Sequence, residues 1–103
     1  MAFDGNEGEP ISLQTAAGWT AKYRATMGAN DPKGHFFGRN EINSILAQTG
    51  CKGIRIYYGI NDLNEKVLIL VGADANENDM TNLIVDRSVV CPPRCGTRNS
   101  LNS

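Results

Sequence analysis

Gly53-Ile-Arg-Ile-Tyr-Tyr-Gly59, followed after a polar loop by Val67-Leu-Ile-Leu-Val71, is the stretch that decides the fold. In the first segment Ile54, Ile56 and Tyr58 alternate with Arg55, Tyr57 and Gly59, the period of a strand with one buried face. The second is apolar at every position and reads as a strand buried on both faces. Asn61-Asp-Leu-Asn-Glu65 joins them as a loop, so the pair predicts an antiparallel hairpin of 54–60 with 66–73.

On the N-terminal side the period changes to that of helices. Ser12 is suited to cap a helix over 13–27, in which Leu13, Ala16, Trp19, Thr20, Tyr23 and Met27 share one arc. Gly18 weakens that helix and Gly28 can end it, and residues 29–34 are turn formers. After the short apolar piece His35-Phe36-Phe37, Ile42, Ile45 and Leu46 predict a second helix over 39–49, with Gly50 at its end. On the C-terminal side, 74–82 is acidic and amide-rich, 83–85 and 88–90 are strand-like, and Pro92-Pro93 stops regular structure. The expected fold is α+β, with two helices packed on one face of a small antiparallel sheet containing the central hairpin. Its expected core is Leu13, Ala16, Ile42, Ile45, Leu46, Ile54, Ile56, Leu68 and Leu70.

A length of 103 residues leaves room for one domain, so 1–103 is expected to fold as a unit, with 1–10 and 97–103 as flexible tails. Apolar residues make up 41 % and charged residues 20 %, which excludes a disordered chain. Ten Lys and Arg against eleven Asp and Glu give a net charge of -1, which argues against nucleic acid or an anionic membrane as partner. No apolar run approaches the roughly 20 residues of a membrane helix. The first residues carry acids where a secretory signal carries Lys and Arg, so a soluble cytoplasmic domain is expected.

Cys91-Pro-Pro-Arg-Cys95-Gly96 is the most specific local feature. A short Pro-containing turn brings two thiolates to one side, and the following Gly lets backbone amides point at sulfur. It resembles the knuckle of zinc-ribbon families, with three residues between the cysteines in place of their usual two. Cys51 and His35 complete a Cys3His inventory for zinc, although the second helix separates them. Two other readings stand beside zinc: a disulfide or redox clasp of Cys91 with Cys95, and inert apolar thiols. A Cys51–His35 nucleophile pair lacks a family signature.

Asp74, Asn76 and Asn78 start like a calcium loop, but Asp79 stands where the loop needs Gly and Val85 where it needs Glu, so a self-capping Asx-rich connection is expected. Arg55, Tyr57 and Trp19 are candidates for an interaction surface, since Arg, Tyr and Trp carry most interface energy. Arg87 to Arg98 holds three arginines and no acid, too sparse for nucleic-acid binding. The phosphate-binding loop, the Gly-x-Ser-x-Gly elbow and His-Glu-x-x-His are all missing.

Taken in order, Gly53-Ile-Arg-Ile-Tyr-Tyr-Gly59, Leu68-Ile-Leu-Val-Gly-Ala-Asp74 and Cys91-Pro-Pro-Arg-Cys-Gly96 resemble a family of small uncharacterised bacterial proteins with this motif order. The resemblance runs from about Ile11 to the end and implies an intact single-domain bacterial protein; it implies no activity. The expected function is a small non-enzymatic interaction or assembly protein that self-associates, because the Val67–Val71 strand needs cover on both faces and helices from one side supply only one. The alternatives are a zinc-stabilised binding module using Cys91 and Cys95, and a thiol-dependent redox enzyme.

Overall fold

Residues 2–103 are described by a computed structural model. They form two helices and five strands: α1 (Leu13–Arg24), β1 (Gly34–Phe36), α2 (Arg39–Leu46), β2 (Cys51–Ile60), β3 (Lys66–Asp74), β4 (Asp79–Val85) and β5 (Val89–Cys91). The class is α+β, with one antiparallel sheet containing the β2–β3 hairpin and a second formed by β1 and β5. The chain divides into two compact units, residues 2–7 with Phe37–Ser88, and Gly8–Phe36 with Val89–Ser103.

The larger unit is a three-stranded sheet in the order β2-β3-β4 with α2 packed on it. The hairpin is longer than expected at its open end only, starting at Cys51 and finishing at Asp74, and it pairs Ile54 with Gly72, Ile56 with Leu70 and Tyr58 with Leu68. Those six residues therefore share one face, because directly opposed residues of an antiparallel pair point the same way. Ile45 of α2 is completely buried and lies on that face: a Cβ added at Gly72 would sit 3.2 Å from its Cγ2. Around Ile45 gather Leu70 and Val85, with Phe37, Ile42, Cys51, Ile54, Leu68 and Leu83 half-buried at the margin. Leu83 reaches this cluster through an irregularity in β4, whose pairing changes from Ile84 to Met80 while β3 advances by one residue.

The opposite face carries Val71 and Ala73, both 3 % exposed. The N-terminal segment lies on that side. Phe3 donates its backbone N–H to the Ala75 carbonyl at 3.0 Å, and its ring sits 5.3 Å from the Arg55 guanidinium carbon. Both faces of β3 are thus buried from Leu70 to Ala73, so the two-sided burial expected of Val67–Val71 holds only at Leu70 and Val71, and Val67 to Ile69 are half-buried.

Length explains the difference. An eight-residue helix spans about 12 Å, whereas a nine-residue strand spans about 30 Å. One short helix therefore covers one end of the face, and β4 reaches no further along β3 than the Leu70–Val85 pair. Beyond that point the hairpin continues as a two-stranded ribbon. Ile56, expected in the core, is 53 % exposed for this reason. Leu46 is 45 % exposed because α2 turns Ile42 and Ile45 inward and ends at Leu46, short of the predicted Thr49. Gly50 has φ +85, the left-handed conformation expected beyond a helix C-terminus.

In the smaller unit Ser12 caps α1 as expected, its hydroxyl accepting from the Thr15 N–H at 3.0 Å. The helix stops at Arg24, three residues before the predicted Met27, and none of its residues is buried. Leu13, assigned to the core, is 62 % exposed, and Ala16 is half-buried. Of the two helices, α2 packs on the three-stranded sheet, while α1 belongs to this second unit. A two-stranded sheet, β1 with β5, was not anticipated; it pairs His35 with Val90 and Phe36 with Val89. The C-terminal residues are held to this unit by Arg24, which donates to the Leu101 carbonyl at 2.7 Å, and by Lys33, which donates to the Asn102 carbonyl at 3.0 Å.

Of the glycines, Gly72 leaves the least room for a side chain. A Cβ there would lie 2.9 Å from both Cys51 Sγ and Gln48 Nε2. Gly72→Ala should cost about 1–3 kcal/mol in urea unfolding, as overpacking does. Gly53→Ala, where an added Cβ meets nothing within 4 Å, should cost none of it.

Candidate functional site

The sequence singles out two groups of residues, and the fold treats them differently. Cys91 and Cys95 are brought together and joined as a disulfide, with their Cα atoms 4.6 Å apart. The turn is tied at both ends: Lys33 N–H donates to the Cys91 carbonyl, and Arg94 N–H donates to the Val90 carbonyl at 3.1 Å. In this state the two sulfurs are bonded to each other and are not thiolate ligands. His35 lies in the same unit on β1, and burial pushes its imidazole pKa below the ordinary value. Cys51 belongs to the other unit at the start of β2, where its thiol donates to the Gly53 carbonyl at 3.3 Å. Among the described residues, no group of three or more His, Cys, Asp and Glu is placed to hold a metal. Asp74 caps its own loop, accepting from the N–H groups of Asn76 at 2.9 Å and Asn78 at 3.0 Å.

Arg55 and Tyr57 come together on one face of β2, as their spacing of two requires. The partner that joins them is Asp79 at the start of β4, which the sequence marks only as the residue that breaks the calcium-loop pattern. Arg55 donates to Asp79 Oδ1 at 2.6 Å and to the Glu77 carbonyl at 3.1 Å, and the Tyr57 hydroxyl donates to Asp79 Oδ2 at 2.5 Å. Only the pairing of Ala73 with Asp79 puts this carboxylate across the sheet from Arg55, and that register is invisible in the local pattern. Arg55 also stacks on Phe3, so its guanidinium fastens the N-terminal segment to the sheet. Phe3, Gly5 and Glu7 with Lys52, Gly53, Ile54, Arg55 and Ala73 line a cleft of about 300 Å³ there. Trp19, the third surface candidate, lies on α1 in the smaller unit and is 59 % exposed.

The most exposed apolar group of the larger unit lies where a buried face was expected. Tyr58 is 92 % exposed, Ile60 70 % and Leu63 78 %. With Ile56 they form the distal end of the hairpin, beyond the reach of α2. The alternation of β2 gave the correct face for Tyr58 but not the length of its cover. No protein-family model matches the chain, and neither a curated protein nor a solved structure matches it.

The Tyr57 hydroxyl, then Arg55, hold the Asp79 carboxyl below its usual range against desolvation, so its contribution to stability is present above about pH 4 and lost as pH falls through the lowered value. The bond to Asp79 raises the Tyr57 phenol, whose contribution is present below about pH 10 and lost as pH rises through the raised value. Denaturation across the pH range should show both limbs in the native chain and a flatter profile in Asp79→Asn. For the disulfide, mass spectrometry without reductant should find the oxidised chain two hydrogens lighter than the reduced one. Because the cysteines are only four residues apart, reduction should cost no more than about 2 kcal/mol.

Proposed function

We propose that this chain is a non-enzymatic interaction protein that binds protein surfaces through the distal end of the β2–β3 hairpin. The observation that carries the reading is the exposure of Tyr58 at 92 % beside Ile56 and Ile60 on one strand face. Large apolar groups gathered at one end of a small protein mark an interaction site, and tyrosine supplies a rigid apolar ring with a polar tip suited to it. Residues 56–60 carry no charge, and the net charge of -1 supports a protein partner in preference to nucleic acid. Among the described residues, no helix is long and apolar enough to cross a membrane.

The zinc-module reading requires Cys91 and Cys95 as free thiolates, and the thiol-enzyme reading requires a reactive one; their disulfide supports neither. A cytoplasmic setting would reduce that bond, so the thiol state of protein trapped directly from cells bears on location.

A photo-crosslinking amino acid placed at position 58 of the full chain, with the exposed Lys22 position as control, tests the proposal in cells. A discrete protein adduct from position 58 and none from position 22 is expected. An adduct of twice the chain mass identifies a second copy, and any other mass identifies a different partner. No adduct from position 58 above the control would contradict the interaction reading itself.

A further inference from the structure

The distal hairpin has a second property besides its exposed side chains: β2 is an outer strand. Its backbone is bonded to β3 on one side only, and the edge is a template for another strand. Natural proteins blunt such edges with charge, proline or a bulge. The one irregularity of this pair lies between Cys51 and Gly53, at the far end. That end is also where the N-terminal segment lies, since a Cβ added at Gly5 would be 3.3 Å from the Lys52 carbonyl oxygen. From Ile56 to Ile60 none of these protections is present.

Resting on the interaction reading above, we propose that β2 of one copy pairs antiparallel with β2 of a second copy across residues 56–60, about a two-fold axis at Tyr58. Two observations favour a second copy over another strand. The first is the pattern Ile-Tyr-Tyr-Gly-Ile. Folded on itself antiparallel about Tyr58, it sets Ile56 against Ile60 of the partner subunit and Tyr58 against Tyr58 of the partner subunit.

The second is charge. The proximal part of β2 carries Lys52, with Arg55 held by Asp79, whereas the loop beyond Ile60 carries Asp62 and Glu65 ahead of Lys66, a net of one negative charge. Antiparallel pairing brings the basic end of each copy toward the acidic tip of the other, and the two-fold does this twice. No like charges meet along 56–60.

Area sets the strength of the contact. Ile56, Tyr58, Ile60 and Leu63 are 53, 92, 70 and 78 % exposed. Edge pairing covers these side chains laterally and leaves their outer face open, so the buried area stays below the roughly 1,000 Å² of a stable interface. Such a contact is that of a reversible dimer.

Sedimentation equilibrium of the purified full chain tests the proposal. The average mass should rise from 11.2 kDa toward twice that value over protein concentrations from about 1 µM to about 1 mM. Tyr58→Asp places two like charges at the axis and should weaken the dimer at least about tenfold, while circular dichroism shows the fold retained. In a Cys51→Ser background, Tyr58→Cys should oxidise to a linked dimer far faster than Leu63→Cys. A single-chain mass at every concentration overturns the self-pairing and leaves the interaction reading to the crosslinking result. A dimer indifferent to Tyr58→Asp, or Leu63→Cys linking as fast as Tyr58→Cys, overturns the proposed surface and register.

Discussion

Ile45 seated against Gly72 is the contact on which the larger unit depends. The helix delivers its one fully buried side chain to the point where β3 has none, and the missing Cβ lets α2 approach the sheet. Leu70 and Val85 then close on Ile45 from the paired strands. Elsewhere on that face the half-buried side chains are arranged around this centre. A core of so few buried residues tolerates little, because each large side chain is a sizeable part of the stability of a small domain.

The same contact fixes what is left open. With α2 committed to the Gly72 end and only eight residues long, the rest of the hairpin face has no helix over it. On the reverse face Phe3, held by Arg55, occupies a comparable place at the same end of the sheet. Arg55 in turn is fixed by Asp79, which also takes the Tyr57 hydroxyl, so one carboxylate organises the polar face. Helix and strap together bury the Leu70–Ala73 end from both sides and leave Tyr58 and Ile60 outside. The functional proposal arises from this asymmetry along the strands, from well covered to bare.

Much of this layout was legible in the residues. Alternation from Ile54 to Tyr58 and the unbroken run at Val67–Val71 announced the hairpin, and the spacing of Ile42 and Ile45 announced the inward side of α2. What could not be read was extent. Periodicity says which way Ile56 points, but whether anything lies there depends on the length of a helix elsewhere in the chain. In the same way α1 formed behind its Ser12 cap, yet its apolar arc is not buried, since local pattern states a capacity for packing and tertiary structure decides its use. The site divides along the same line. Arg55 and Tyr57 were visible as neighbours on one strand, whereas Asp79 and Phe3 reach them through non-local register. For Cys91 and Cys95 the spacing left zinc, disulfide and inert thiols open, and the fold joins them as a disulfide.

Native-state hydrogen exchange, residue by residue along β2 and β3 in dilute solution, tests the central claim of a sheet covered at one end and bare at the other. The account predicts that the amides of Leu70 to Ala73 exchange only through global unfolding, while those of Tyr57 to Ile60 exchange far faster through local opening of the ribbon. Equal protection along both halves of the hairpin at low concentration would contradict it, because the distal face would then be covered within the single chain.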